Sequence, residues 1–198
     1  MKMKRLIPQI KCLKPMIFAF AVISGSSALF NPCEAGRVED DAYFHFVFGG
    51  DFGLNYTNRD PRFQFGFDTG NQYLSIPLTF SYGQDTWIIG AKPRVQYLMS
   101  PIANNPNFRV GPGLGPVLNY WNSSAGSATV HTIEIGAQIS GQVQYVLNDQ
   151  FNLAVSPSID LNFWRHASVS GGGFSGASAS ETKLRPVLNV VFGVGLVF

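Results

Sequence analysis

From residue 43 to the end of the chain, apolar and polar positions alternate one for one in seven separate segments. In 43–56, one face carries Phe44, Phe46, Phe48, Phe52, Leu54 and Tyr56, while the other carries Tyr43, His45, Asp51 and Asn55 among small residues. The same alternation runs through 73–82, 86–99, 108–121, 132–147, 151–164 and 183–198. A side-chain period of two is the mark of a strand, because successive Cβ atoms point to opposite faces of the sheet. No helix-period segment of useful length occurs after residue 42, so the chain is predicted to be all-β.

The alternation also says what each face meets. In 132–147 one face reads Ile133, Ile135, Ala137, Ile139, Val143, Tyr145, and the other reads Glu134, Gly136, Gln138, Ser140, Gln142, Gln144. A soluble sandwich turns its apolar faces into a shared core. Here the polar face suits a narrow hydrated interior, and the apolar, aromatic-flanked face suits lipid. Most segments exceed the ~9–11 residues needed to cross a bilayer at a tilt. A closed transmembrane barrel of this kind has an even number of strands, so an eighth is expected between 57 and 72. Phe63-Gln64-Phe65-Gly66-Phe67 alternates correctly and supplies it. Surface loops are then expected at 57–61, 83–85, 122–131 and 166–182, and periplasmic turns at 69–72, 100–107 and 148–150. The Gly/Ser composition of 166–182 predicts a mobile coil.

The pattern over 42–198, closed by Phe198 at an outward position, resembles the small eight-stranded outer-membrane β-barrel proteins, of the outer-membrane protein A and X type. The resemblance implies an antiparallel up-and-down transmembrane barrel. It also implies that the barrel-insertion machinery reads the last strand, with Phe192 and Phe198 as its signal. Against this expectation, Pro77, Pro93, Pro112, Pro116, Pro157 and Pro186 fall inside strands. A closed barrel has no free edge on which to place a residue without an N–H.

The first 35 residues hold a disproportionate share of the positive charge. Lys2, Lys4, Arg5, Lys11 and Lys14 precede an uncharged apolar run from Met16 to Phe30, as in a secretory signal. The run is shorter than a membrane span requires. Cleavage near Ala35 is expected, with Ala28 as second choice, leaving 36–41 as a short segment before the barrel. Five of the 14 basic residues and one of the 12 acidic residues leave with it, so nine bases face eleven acids and the net charge becomes −2. The basic balance of the whole chain therefore argues for no nucleic-acid partner. Cys12 and Cys33 also precede the cut, which excludes disulfide and thiol chemistry from the barrel.

Parity places Asp51, Lys92, Arg94, Arg109, Glu134, Asp160 and Arg185 on the inner face. Ionised groups in a narrow barrel must pair, and eight strands leave an interior just wide enough for its own side chains. A salt-bridged plug is therefore expected in preference to a pore. Gly111-Pro112-Gly113-Leu114-Gly115 lacks the helix that a phosphate loop needs after it. His166 and Ser168, two apart on one strand face, are the single hint of catalysis, a base and nucleophile for a lipid hydrolase. His45 and His131 do not cluster with other ligands, and no metal or cofactor is expected. The reading is a non-enzymatic outer-membrane barrel with a structural or surface-interaction role. Its expected partners are outer-membrane lipid, the insertion machinery and a surface partner at loops 122–131 and 166–182. A small solute channel, a lipid hydrolase and a soluble secreted ligand-binding barrel are the alternatives.

Overall fold

The computed structural model describes residues 42–53, 62–83, 85–100, 105, 107–148, 150–171 and 176–198. The expected leader and the segment 36–41 lie outside the described residues, as does the expected loop 57–61. The strands are β1 (Tyr43–Gly53), β2 (Arg62–Gly70), β3 (Leu74–Gly83), β4 (Thr86–Ala91), β5 (Arg94–Gln96), β6 (Phe108–Ala125), β7 (Ala128–Val146), β8 (Phe151–Gly171) and β9 (Ser178–Val197). All pairings are antiparallel, and β1 pairs with β9 to close the circle. β4 and β5 pair with the same two strands, β3 and β6, and are two halves of one wall position. The fold is a closed, eight-stranded, antiparallel up-and-down β-barrel.

The burial pattern is inside out relative to a water-soluble protein. His45, Gln64, Asp68, Gln138, Gln142, Gln144, Asn152 and Asp160 are buried in the lumen. Phe46, Phe65, Leu78, Ile89, Leu118, Ile139, Leu153 and Phe192 point outward and are exposed. This is the assignment of faces that the alternation predicts. The outer wall is laced with ring contacts, such as Phe65 with Phe80 at 4.9 Å and Phe48 with Phe192 at 6.0 Å.

One end of the barrel has short turns organised by asparagine side chains. Asn71 Oδ1 accepts from the N–H groups of Tyr73 and Leu74, and Asn148 Oδ1 accepts from those of Gln150 and Phe151. Such Asx turns mimic a backbone turn and reverse the chain in few residues.

Several boundaries differ from the sequence expectation. β2 extends past 63–67 to Arg62 and Gly70, because Asp68 and Arg62 continue the inward parity. The segment 86–99 breaks after Ala91, where Pro93 interrupts the ladder, and resumes as β5. The expected loop 122–131 is mostly strand. Its register runs from Asn122↔His131 to Ala125↔Ala128, leaving a two-residue turn with Gly126 at φ 62°. The positive φ suits glycine and matches the twist of a tight hairpin. The expected coil 166–182 is also largely strand, since β8 continues to Gly171 and β9 begins at Ser178. Ser and Ala carry no strong strand preference, but the neighbouring strand β7 already offers a ladder, and pairing overrides composition. The β6–β7 and β8–β9 hairpins are thus ribbons over their described residues.

Candidate functional site

The lumen is the place where this chain concentrates polar chemistry. Lys92 enters it from the gap between β4 and β5, with its Nζ 2.8 Å from Asp160 Oδ2 on β8. The same ammonium donates to Asn189 Oδ1 on β9 at 3.2 Å. Gln138 on β7 donates to the second Asp160 oxygen at 3.2 Å and to Ser158 Oγ at 3.1 Å. Four wall positions are joined across the interior by these bonds.

A second cluster lies towards the short-turn end. Arg94 on β5 donates through Nη2 to Asp68 Oδ2 at 3.0 Å and through Nε to Ser75 Oγ at 3.1 Å. Ser75 in turn donates to Asp68 Oδ1 at 2.5 Å. Gln142 accepts from the same guanidinium at 3.1 Å, and Gln96 donates to Tyr43 Oη at 2.9 Å. His45 hydrogen-bonds Asn152.

Towards the other end, Trp121 lies in the lumen between two cations. The guanidinium carbon of Arg62 is 4.5 Å from the ring centroid, and that of Arg165 is 5.5 Å from it. Arg165 also faces Glu134, with Nε 4.0 Å from Oε1. Arg165 reaches this side because of a bulge. The register of β8 against β7 shifts between Ile135 and Gly136, so Phe163 and Trp164 both turn outward and Arg165 turns in. An inserted residue reverses parity for everything beyond it.

The seven charges read from the sequence therefore separate. Lys92 and Asp160 meet each other, and Arg94 meets Asp68, which lies just beyond the strand expected at 63–67. Glu134 faces Arg165, which the sequence grouping with Lys92, Arg94 and Arg109 does not include. Arg185 pairs with Glu181, four residues back on its own strand near the rim. Asp51 lines a small void with Lys92 and Asp160, and Arg109 is buried opposite Gln144 at the start of β6. Two voids of about 20 Å³ lie beside Lys92. Each has room for about one water molecule.

The catalytic hint resolves differently from its sequence form. His166 Nδ1 is 2.8 Å from Ser180 Oγ on β9, and its ring stacks on Trp164 at 6.1 Å. Ser168 stands instead opposite His131 on β7. His131 is held by Tyr120 Oη at 2.7 Å and Ser170 Oγ at 3.2 Å. Among the described residues, no three His, Cys, Asp or Glu side chains converge as a metal site. Phe192 packs on Phe48, and Phe198 N donates to Ala42 O at 2.8 Å while its ring stays exposed.

No protein-family model matches the sequence, and no curated protein matches it. Solved structures do share its fold. The N-terminal β-barrel domain of Pseudomonas aeruginosa OprF aligns over 82% of this chain and 100% of that one, with a TM-score of 0.54 and 10% identity. Neisserial surface protein A aligns over 79% of this chain and 97% of its own, with a TM-score of 0.55 and 11% identity. The outer membrane protein OprG from Pseudomonas aeruginosa covers 82% of this chain and 98% of its own, at 0.50 and 15%. At these identities the likeness concerns the fold: the chain is built as the small closed barrel that these proteins share.

Proposed function

We propose that this chain is a non-enzymatic β-barrel of a bacterial outer membrane, with a structural or surface-interaction role and a plugged polar lumen. The observation that carries the reading is the reversal of faces. Phe, Leu, Ile and Val side chains form a continuous exposed wall around buried Gln, Asn, Lys, Arg and Asp. Exposed apolar patches beyond a few hundred Å² are rare on soluble monomers, and a closed barrel is one of the two backbone forms a bilayer admits. The soluble ligand-binding alternative would need the apolar face inside.

The plug rests on the Lys92–Asp160 pair, which crosses the lumen, and on Arg94, which joins Asp68 on β2 to Gln142 on β7; the two voids beside Lys92 hold about 20 Å³ each. A solute channel would need these contacts to part. Two measurements test the reading. The detergent-extracted protein should migrate differently before and after heating, and it should show no discrete conductance steps in planar bilayers. Unchanged migration with solubility in plain buffer overturns the membrane placement, and stepwise conductance replaces the plug with a pore.

A further inference from the structure

Four of the six in-strand prolines converge on one wall position. Pro77 lies on β3, Pro93 between β4 and β5, and Pro112 and Pro116 on β6. The registers show what each removes. β4 pairs with β6 down to Ala91↔Leu118, and β5 resumes at Val95↔Leu114 without a shift. Pro93 therefore stands opposite Pro116.

Antiparallel pairs alternate between hydrogen-bonded and non-bonded positions. Tyr97 N donates to Pro112 O at 3.1 Å, and Met99 and Val110 exchange two bonds at 2.8 Å. Counting back by twos, Val95↔Leu114 and Pro93↔Pro116 are also bonding positions. At the last of these neither residue has an N–H, so both ladder bonds are absent. Pro112 cannot return the bond it receives from Tyr97. Across the other seam, Pro77 cannot return the 3.0 Å bond that Lys92 N gives to its carbonyl. On their β7 side, Pro112 and Pro116 occupy the non-bonding positions, so the β6–β7 ladder loses nothing to them.

Pro93 O is aimed straight at β6. A Cβ built on Gly115 would lie 1.9 Å from it, so glycine at 115 is what lets the two backbones approach here. Carbonyls without a donor are not tolerated against hydrocarbon unless protein or water covers them. Outward of the seam stand exposed Val95 and Leu118. Beside it in the lumen lies a void lined by Pro77 on β3 and by Lys92 and Arg94, though by no residue of β6. Its volume of about 20 Å³ suits a water molecule.

We infer that the barrel wall carries a lateral seam between β5 and β6 at the Pro93–Pro116 pair, where the two missing ladder bonds make the wall open first. The seam is a property of the wall alone, whereas its meaning as a sideways route between lumen and bilayer rests on the membrane placement proposed above. The strand β6 holds its own control. The N–H of Leu114 points to β5, while those of Gly113, Gly115 and Val117 point to β7 at the same depth.

Residue-resolved amide exchange by NMR, on the folded barrel in detergent or nanodiscs, tests the inference. Leu114 and Val95 should exchange at least tenfold faster than Gly113, Gly115 and Val117. Replacing both prolines, Pro93→Val with Pro116→Val, restores two donors and should slow Leu114 to the level of its neighbours. Uniform protection along β6 in the wild type overturns the seam, whether or not the double variant folds, and leaves the membrane placement standing. Fast exchange that persists in a folded double variant overturns the role of the proline pair.

Discussion

Lys92 Nζ and Asp160 Oδ2 lie 2.8 Å apart in the lumen, with both side chains almost fully buried. The two charges neutralise each other, supported by Asn189 and Gln138. Asp160→Asn keeps the shape and removes the charge. Breaking one side of a buried pair typically costs about 3–5 kcal/mol. The urea midpoint of the Asp160→Asn variant should drop accordingly, and adding Lys92→Met should recover much of the loss. A single variant as stable as wild type would mean that the pair is solvated and the lumen wet.

Glu134→Gln should be milder. Glu134 is fully buried, but Arg165, its partner at 4.0 Å, is one-third exposed and stacks on Trp121. Released from Glu134, the guanidinium keeps its ring contact and its access to solvent. The loss should lie nearer the ~0–1 kcal/mol of exposed pairs than the cost at Asp160. Equal losses at the two sites in one urea series would contradict this ranking.

Topology is checked by tags. An epitope inserted at the Gly126-Ser127 turn or beside Gly176 should be reached by antibody on intact cells. One inserted at Gln150, in the short turn set by Asn148, should stay hidden until the envelope is opened. The inverse pattern would turn the barrel over.

Assembly is checked at the last strand. Removing Phe198, whose N–H bonds Ala42 O and whose ring projects outward, should lower the folded yield in the membrane several-fold. Leu184→Ala, also outward but near the opposite rim, should leave the yield nearly unchanged. Comparable losses would remove the case for a terminal recognition signal.

Fold class and the two faces are legible in the linear chain. Strict alternation leaves a strand no choice about which residues share a side, and the absence of any other apolar surface puts Phe46 and Leu118 outside and Gln138 and Asp160 inside. Two further lumen charges are legible on the same ground. Arg62 and Asp68 share the inward parity of Gln64, and extending that short strand by one residue each way brings both into the lumen. The remaining relations arise only when the barrel closes. Which base meets which acid depends on barrel stagger, and stagger is a relation between strands. Arg165 was illegible because one bulge residue reverses its parity. The Ser- and Gly-rich stretches at 122–131 and 166–182 became strand because a partner ladder was already in place beside them. The convergence of Pro77, Pro93, Pro112 and Pro116 on one wall position was hidden for the same reason. Each proline is visible in its own segment, but only registers between segments show that Pro93 and Pro116 face each other.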